Sequence, residues 1–221
     1  MKKILIAGID EAGRGSAIGP LVMAAVLVDK TQEEQLIELQ VRDSKELSKK
    51  ERERLAKEIK KIVEKYAIVK ITAKELNELM PMRSLNEIEA MKAAHLIQGI
   101  GVKPAILIVD SPDIIADNFA KRIKKYLPFN LIIKAEHFAD KVYAAVSAAS
   151  ILAKVARDSE IETLKKYYGE IGSGYWHDPL TKSFVEKWTA KHGKLPSCAR
   201  AYWQPNIRTL DKQLQKTLEE F

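Results

Sequence analysis

The chain has 221 residues, enough for one sizeable core with an appendage. Its net charge of +7 and isoelectric point near 9.3 suit a polyanionic partner. The single cysteine, Cys198, excludes a disulfide framework and a thiolate metal cluster, and with no apolar run near the ~20 residues of a membrane helix and no signal-peptide pattern, a cytoplasmic protein without a membrane partner is expected.

The first strand is predicted from the apolar run Ile4-Leu5-Ile6-Ala7. It ends in Gly8-Ile9-Asp10-Glu11-Ala12-Gly13-Arg14-Gly15. Two adjacent carboxylates at the end of a buried strand repel each other and lose hydration, which a cation beside them relieves. The glycines that follow let the backbone approach a large ligand. Leu21 to Val28 reads as a second strand, and the short link makes the pair antiparallel. A short helix follows over Thr31 to Leu39. Ser48 with Glu51 forms a capping-box pattern that opens a helix with Leu55, Ile59 and Ile62 on one face. Ala67 to Ile71 is a third strand, and Ser84 with Glu87 opens a further helix that Gly99 and Gly101 stop.

Ala105 to Val109 is a second nearly all-apolar run, and it too ends on a carboxylate, Asp110. Asp113 is expected to cap a helix reaching Leu127. Leu131 to Ile133 is a fifth strand, and one long helix is predicted from Asp140 to Tyr168. The Ala- and Ser-rich first half of that helix suits close packing on a sheet or a neighbouring helix. Together the elements predict an α/β fold, a five-stranded mixed sheet flanked by helices. Beyond Gly169-Glu170-Ile171-Gly172-Ser173-Gly174 the composition shifts. All three tryptophans (Trp176, Trp188, Trp203) lie there with Lys182, Lys187, Lys191, Lys194, Arg200 and Arg208. Residues 1–175 are therefore expected to form the main domain and 176–221 a basic helical cap. Its tryptophans are expected to anchor the cap, with stacking on nucleic acid as the alternative.

Asp10, Glu11 and Asp110 stand at carboxyl ends of apolar strands, where ligand sites gather in parallel sheets, and Asp140 follows the fifth strand. An all-oxygen donor set suits Mg²⁺ or Mn²⁺ rather than zinc, and two such ions suit phosphodiester hydrolysis. Each carboxylate also has a plain reading as a turn former or helix cap; Asp43, Asp113, Asp117 and Glu136 stay open as competitors. The Gly13-Arg14-Gly15 turn is no dinucleotide loop, because its spacing is wrong and it leads to a strand. No phosphate-binding Gly-Lys-Ser/Thr loop and no nucleophile elbow occurs. Ser44-Lys45 is a candidate phosphate contact against a solvated loop.

Gly8 to Gly15 resembles the signature of type 2 ribonucleases H, the ribonuclease HII family. Asp43-Ser44-Lys45-Glu46-Leu47, Val109-Asp110, the helix Val146 to Asp158 and Gly172-Ser173-Gly174-Tyr175 resemble its later motifs in order, and the closing region resembles the archaeal branch. The resemblance implies an RNase H-like fold. It implies an endonuclease that cuts the RNA strand of RNA/DNA hybrids and ribonucleotides embedded in DNA, leaving 5′-phosphate and 3′-hydroxyl ends. By motif position Asp10, Glu11, Asp110 and Asp140 correspond to metal-binding carboxylates. Gly13, Arg14 and Gly15 correspond to the turn that senses the ribose 2′-hydroxyl, Tyr175 to the tyrosine beside that sugar, and Ser44 and Lys45 to backbone contacts. The first strand begins at about residue 3, which leaves no room for the extra amino-terminal domain of type 3 enzymes and favours type 2. A monomer is expected. Another nuclease or strand-transfer enzyme of the same fold, and a non-catalytic nucleic-acid-binding protein, are the rival readings.

Overall fold

The computed structural model describes residues 3–41 and 47–219. Its five strands are β1 (Ile6–Ala12), β2 (Leu21–Val28), β3 (Lys65–Ile71), β4 (Ile106–Asp110) and β5 (Ile132–Glu136), in sheet order β3-β2-β1-β4-β5. β1 pairs antiparallel with β2 and parallel with β4, and β4 pairs parallel with β5, so the sheet is mixed as expected. β1 runs further than its apolar residues suggest. The ladder with β2 continues through Asp10↔Ala24 and Glu11↔Met23, so both carboxylates lie inside the strand.

The helices are α1 (Lys30–Glu38), α2 (Lys49–Ile62), α3 (Ala73–Leu79), α4 (Leu85–Ile100), α5 (Ala116–Lys125), α6 (Ala139–Val142), α7 (Ala144–Tyr168), α8 (Pro179–His192) and α9 (Gln204–Glu219). Ser48 accepts from the Glu51 amide and Ser84 from the Glu87 amide, as the capping patterns predict. Asp29 caps α1 through a reciprocal pair with Gln32. The seven-residue α3, capped by Thr72, has too few residues to show a period and went unread in the sequence.

Two helix expectations fail. Asp113 does not cap α5, whose N-cap is Ile115 without a side-chain bond. Instead Asp113 accepts from Asn86 at 2.5 Å and from Arg122 at 3.0 Å, and Arg122 also reaches Glu87 at 2.7 Å. The helix predicted from Asp140 to Tyr168 is broken at Tyr143, whose backbone is extended. The cause is non-local. The Tyr143 hydroxyl is held by Glu136 of β5 at 2.7 Å and by Lys134, which pins the chain to the sheet and separates α6 from α7.

The chain divides into two compact units. The first holds residues through Ala12, Val22–Val69 and Ser84–Ala156; the second holds Gly13–Leu21, Lys70–Arg83 and Arg157–Phe221. This partition differs from a cut at residue 175, because two early segments join the later one. In the first unit β2 is buried along its whole length. Val22, Ala24 and Val26 pack with Leu55 and Ile59 of α2 and with Ala145, Ala148, Ala149 and Leu152 of α7. α7 comes so close to β1 that a Cβ placed on Gly8 would lie 2.6 Å from the Ala145 carbonyl oxygen and 2.5 Å from the Val146 amide nitrogen. In the second unit Ile18, Ile171, Val185, Cys198 and Ala199 form a core edged by Trp176, Phe184 and Tyr168. Burial pushes the Cys198 thiol up to about 12. Tyr168 makes edge contacts with Phe184 and Trp188, and Trp203 lies under the Arg200 guanidinium. The tryptophans therefore anchor this unit from within.

Candidate active site

In the first unit the acidic residues collect at one edge of the sheet. Ile9 of β1 faces Val109 of β4 in parallel register, so Asp10 and Asp110 follow side by side one residue on. Asp110 in turn faces Glu136 of β5. The Asp110 Oδ1 accepts from the Ala139 amide at 3.1 Å, which ties the start of α6 to the end of β4 and sets Asp140 one residue later. The Ser147 hydroxyl donates to the Asp140 carbonyl and fixes the same turn from α7.

Asp10 is 5% exposed and Asp140 7%. The Asp10 carboxylate accepts from the Ser150 hydroxyl of α7 and, at 2.8 Å, from the Glu11 amide. Burial nevertheless pushes Asp10 up to about 7, and the negative charges of Asp110 and Asp140 add to the rise. Asp10 thus feels the charge of both neighbours. Glu11, the next residue of the same strand, is half-buried. Among the described residues, no three acidic, histidine or cysteine side chains are drawn together closely enough to enclose an ion by themselves. The donor chemistry still fits a hard divalent cation, which would relieve the repulsion that burial imposes on Asp10.

The competing carboxylates have other work. Asp113 belongs to the Arg122 cluster, and Glu136 pairs with Lys134 at 2.9 Å and with Tyr143, bonds that hold its carboxyl below the ordinary range. Ser44, Lys45 and Asp43 lie outside the described residues.

In the second unit Gly13 takes φ +82°, and a Cβ there would lie 2.6 Å from Arg157 Cδ and 2.8 Å from the Pro20 carbonyl oxygen. Gly13 is thus a packing requirement. Gly15 is different: it is exposed, and a Cβ built on it meets nothing within 4 Å. The half-buried Arg14 gives its carbonyl to Arg200 Nη1 at 3.0 Å. Tyr175 is half-buried; its ring centroid lies 4.4 Å from the Arg157 guanidinium carbon and 5.6 Å from the His177 ring. The loop before Tyr175 is tied to the start of α8, since Asp178 accepts from the Ser173 amide at 2.6 Å and Thr181 from the Gly174 amide at 2.9 Å.

Sequence reasoning missed the supporting side chains. Ser147 and Ser150 sit three residues apart on α7, the polar members of an apolar stretch, which was a usable signal. Arg200, which the sequence places among the basic residues of the cap, is fully buried, with Nε on the Gly19 carbonyl at 3.0 Å. Nothing in its neighbours along the chain announces that burial.

A sequence model of the ribonuclease HII family matches residues 7–206. Ribonuclease HII of Pyrococcus furiosus is 44% identical over 98% of this chain and 97% of the relative. The crystal structure of ribonuclease H2 from Pyrococcus horikoshii OT3 superposes with TM-score 0.89 at 40% identity, covering 96% of this chain and 99% of that one. The ribonuclease HII in the PCNA:RNase HII complex from Archaeoglobus fulgidus superposes with TM-score 0.83 at 43% identity, covering 90% and 95%. With the strand order, the acidic sheet edge and these matches together, the chain belongs to the ribonuclease HII family of endonucleases.

Proposed function

We propose that the chain hydrolyses the RNA strand of RNA/DNA hybrids and cuts at ribonucleotides embedded in duplex DNA, using Mg²⁺ or Mn²⁺ held by Asp10, Glu11, Asp110 and Asp140. The observation that carries this reading is the convergence of buried Asp10 and Asp140 with Asp110 at one end of the strands, Asp10 beside Asp110 in parallel register and Asp110 bonded to the Ala139 amide next to Asp140. When bound, two divalent ions supply charge neutralisation at the scissile phosphate and activation of water. Asp10 keeps its orientation through Ser150 and the Glu11 amide. Asp140 keeps its place through the Ser147 bond to its carbonyl. The products carry 5′-phosphate and 3′-hydroxyl ends.

Gly13, Arg14 and Gly15 read the ribose 2′-hydroxyl through backbone groups, and Tyr175 packs beside that sugar; the 2′-hydroxyl is what separates RNA from DNA at one position. The open space at Gly15 supports this, because packing gives no reason for a glycine there. Ser44 and Lys45 contact the nucleic-acid backbone, and the exposed basic residues of 176–221 add phosphate affinity. The chain acts as a monomer. Like the Archaeoglobus relative in its complex, it docks on PCNA.

The test is a DNA duplex with one internal ribonucleotide, incubated with Mg²⁺, with Mn²⁺ and with EDTA. Cleavage at the ribonucleotide with either metal and none in EDTA is expected. Absence of cutting with both metals would overturn the reading, and unchanged hybrid binding without cutting would favour a non-catalytic protein.

A further inference from the structure

The second unit buries a cation that the reaction as described does not use. Arg157, the first residue of this unit on α7, is 5% exposed. Its Nη2 donates to the Ser173 carbonyl at 2.7 Å, its Nη1 lies 3.9 Å from Asp158, and its Nε is buried with no hydrogen-bond partner. Burial pulls its guanidinium below the usual arginine range. An arginine in such surroundings is costly to hold, so its placement calls for a reason.

The reason lies in what it touches. Gly13 and Gly174 both take left-handed backbone, at φ +82° and +87°. At both, a side chain would run into Arg157: a Cβ on Gly174 would lie 2.9 Å from Nη2, as one on Gly13 meets Cδ. The flat guanidinium also lies against the Tyr175 ring. The two glycine turns meet directly as well, since the Gly174 carbonyl accepts from the Ala17 amide at 2.8 Å. One rigid planar group therefore backs the Gly13 turn, the Gly174 turn and the tyrosine at once. Lysine, a point charge on a flexible stem, cannot fill that slot.

We propose that Arg157 is a positioning residue for ribonucleotide selection, locking the Gly13–Gly15 turn and Tyr175 into one sugar-reading unit. The proposal rests on the reading of Gly13–Gly15 and Tyr175 as the parts that meet the ribose. Its energetic basis is preorganisation: a reader assembled before substrate arrives loses no further ordering entropy on binding. Arg157 itself needs no contact with substrate.

The test measures cleavage of a duplex with one ribonucleotide in Mg²⁺, with an all-DNA duplex as competitive inhibitor, and the thermal midpoint of each variant. Arg157→Met, Arg157→Lys, Tyr175→Ala and the Arg157→Met/Tyr175→Ala double variant are compared with wild type. Arg157→Met is expected to lower kcat/KM about tenfold or more while the inhibition constant of all-DNA stays within about twofold. The double variant should lose little beyond the worse single, because both remove the same unit. Arg157→Lys should lose selectivity too, and it carries the test if Arg157→Met does not fold. Equal losses of junction cleavage and all-DNA affinity, or fully additive losses in the double variant, would overturn the proposal. If Tyr175→Ala loses selectivity while both Arg157 variants keep it, Arg157 alone is misassigned. If Tyr175→Ala keeps selectivity, the reading of the sugar site fails and the role of Arg157 falls with it.

Discussion

Asp10 shows how a single side chain can be costly to the fold and useful to the site. Its folded value near 7 stands well above the ordinary 3.8. A carboxyl raised in this way supports the fold fully below its unfolded value, and that support is withdrawn as pH rises through the folded value. The metal-free protein should therefore carry a penalty at pH 8 that is absent near pH 4. Asp10→Asn removes the buried charge, so in EDTA at pH 8 its thermal midpoint should exceed that of wild type by ~5 °C or more. The gain should shrink as pH falls toward 4, while cleavage with metal is lost at every pH. An unchanged midpoint at pH 8 would mean that Asp10 is better solvated than its burial indicates. Asp10 was legible in the sequence because it follows an apolar strand and precedes a second acid. Arg157 and Arg200 were not: an arginine in a basic chain reads as solvated surface, and what buries Arg157 is the meeting of Gly13 with Gly174, which adjacent residues do not encode.

At the scale of elements the decisive contact is that of α7 with β1. The run of alanine and serine from Ala144 to Ala156 signalled close packing, and Gly8 is where it becomes closest. Gly8→Ala would press a methyl group into backbone atoms, which cannot rotate aside as a side chain can. A loss of about 2 kcal/mol or more is expected in urea unfolding. Activity should fall as well, since Ser147 and Ser150 ride on the displaced helix. A variant with wild-type stability would show that α7 can retreat freely. The strands were readable because apolar runs mark buried sheets regardless of partner. The break at Tyr143 was not, because it depends on Lys134 and Glu136 across the sheet rather than on a local breaker.

For the whole molecule, the surplus of +7 sets how binding responds to salt. Lys182, Lys187 and Lys191 of α8, with Lys194 and Arg208, are exposed and free to face phosphates, whereas Arg200 is not. Hybrid affinity should fall linearly on a log–log plot against salt. Replacing Lys187 and Lys191 by alanine should reduce that slope by roughly one unit for each lysine that meets a phosphate. An unchanged slope would place the phosphate contacts elsewhere. The pairing of β1 with β4 has a consequence in time. Ile6 finds its parallel partner at Ile106, and Asp10 finds Ser150 still later in the chain. A chain emerging from the ribosome therefore displays its first two carboxylates long before their companions exist. The acidic edge is not a local motif that forms and waits; it is assembled from β1, β4 and α6, and an amino-terminal fragment ending before α7 lacks the Ser147 and Ser150 bonds that hold it.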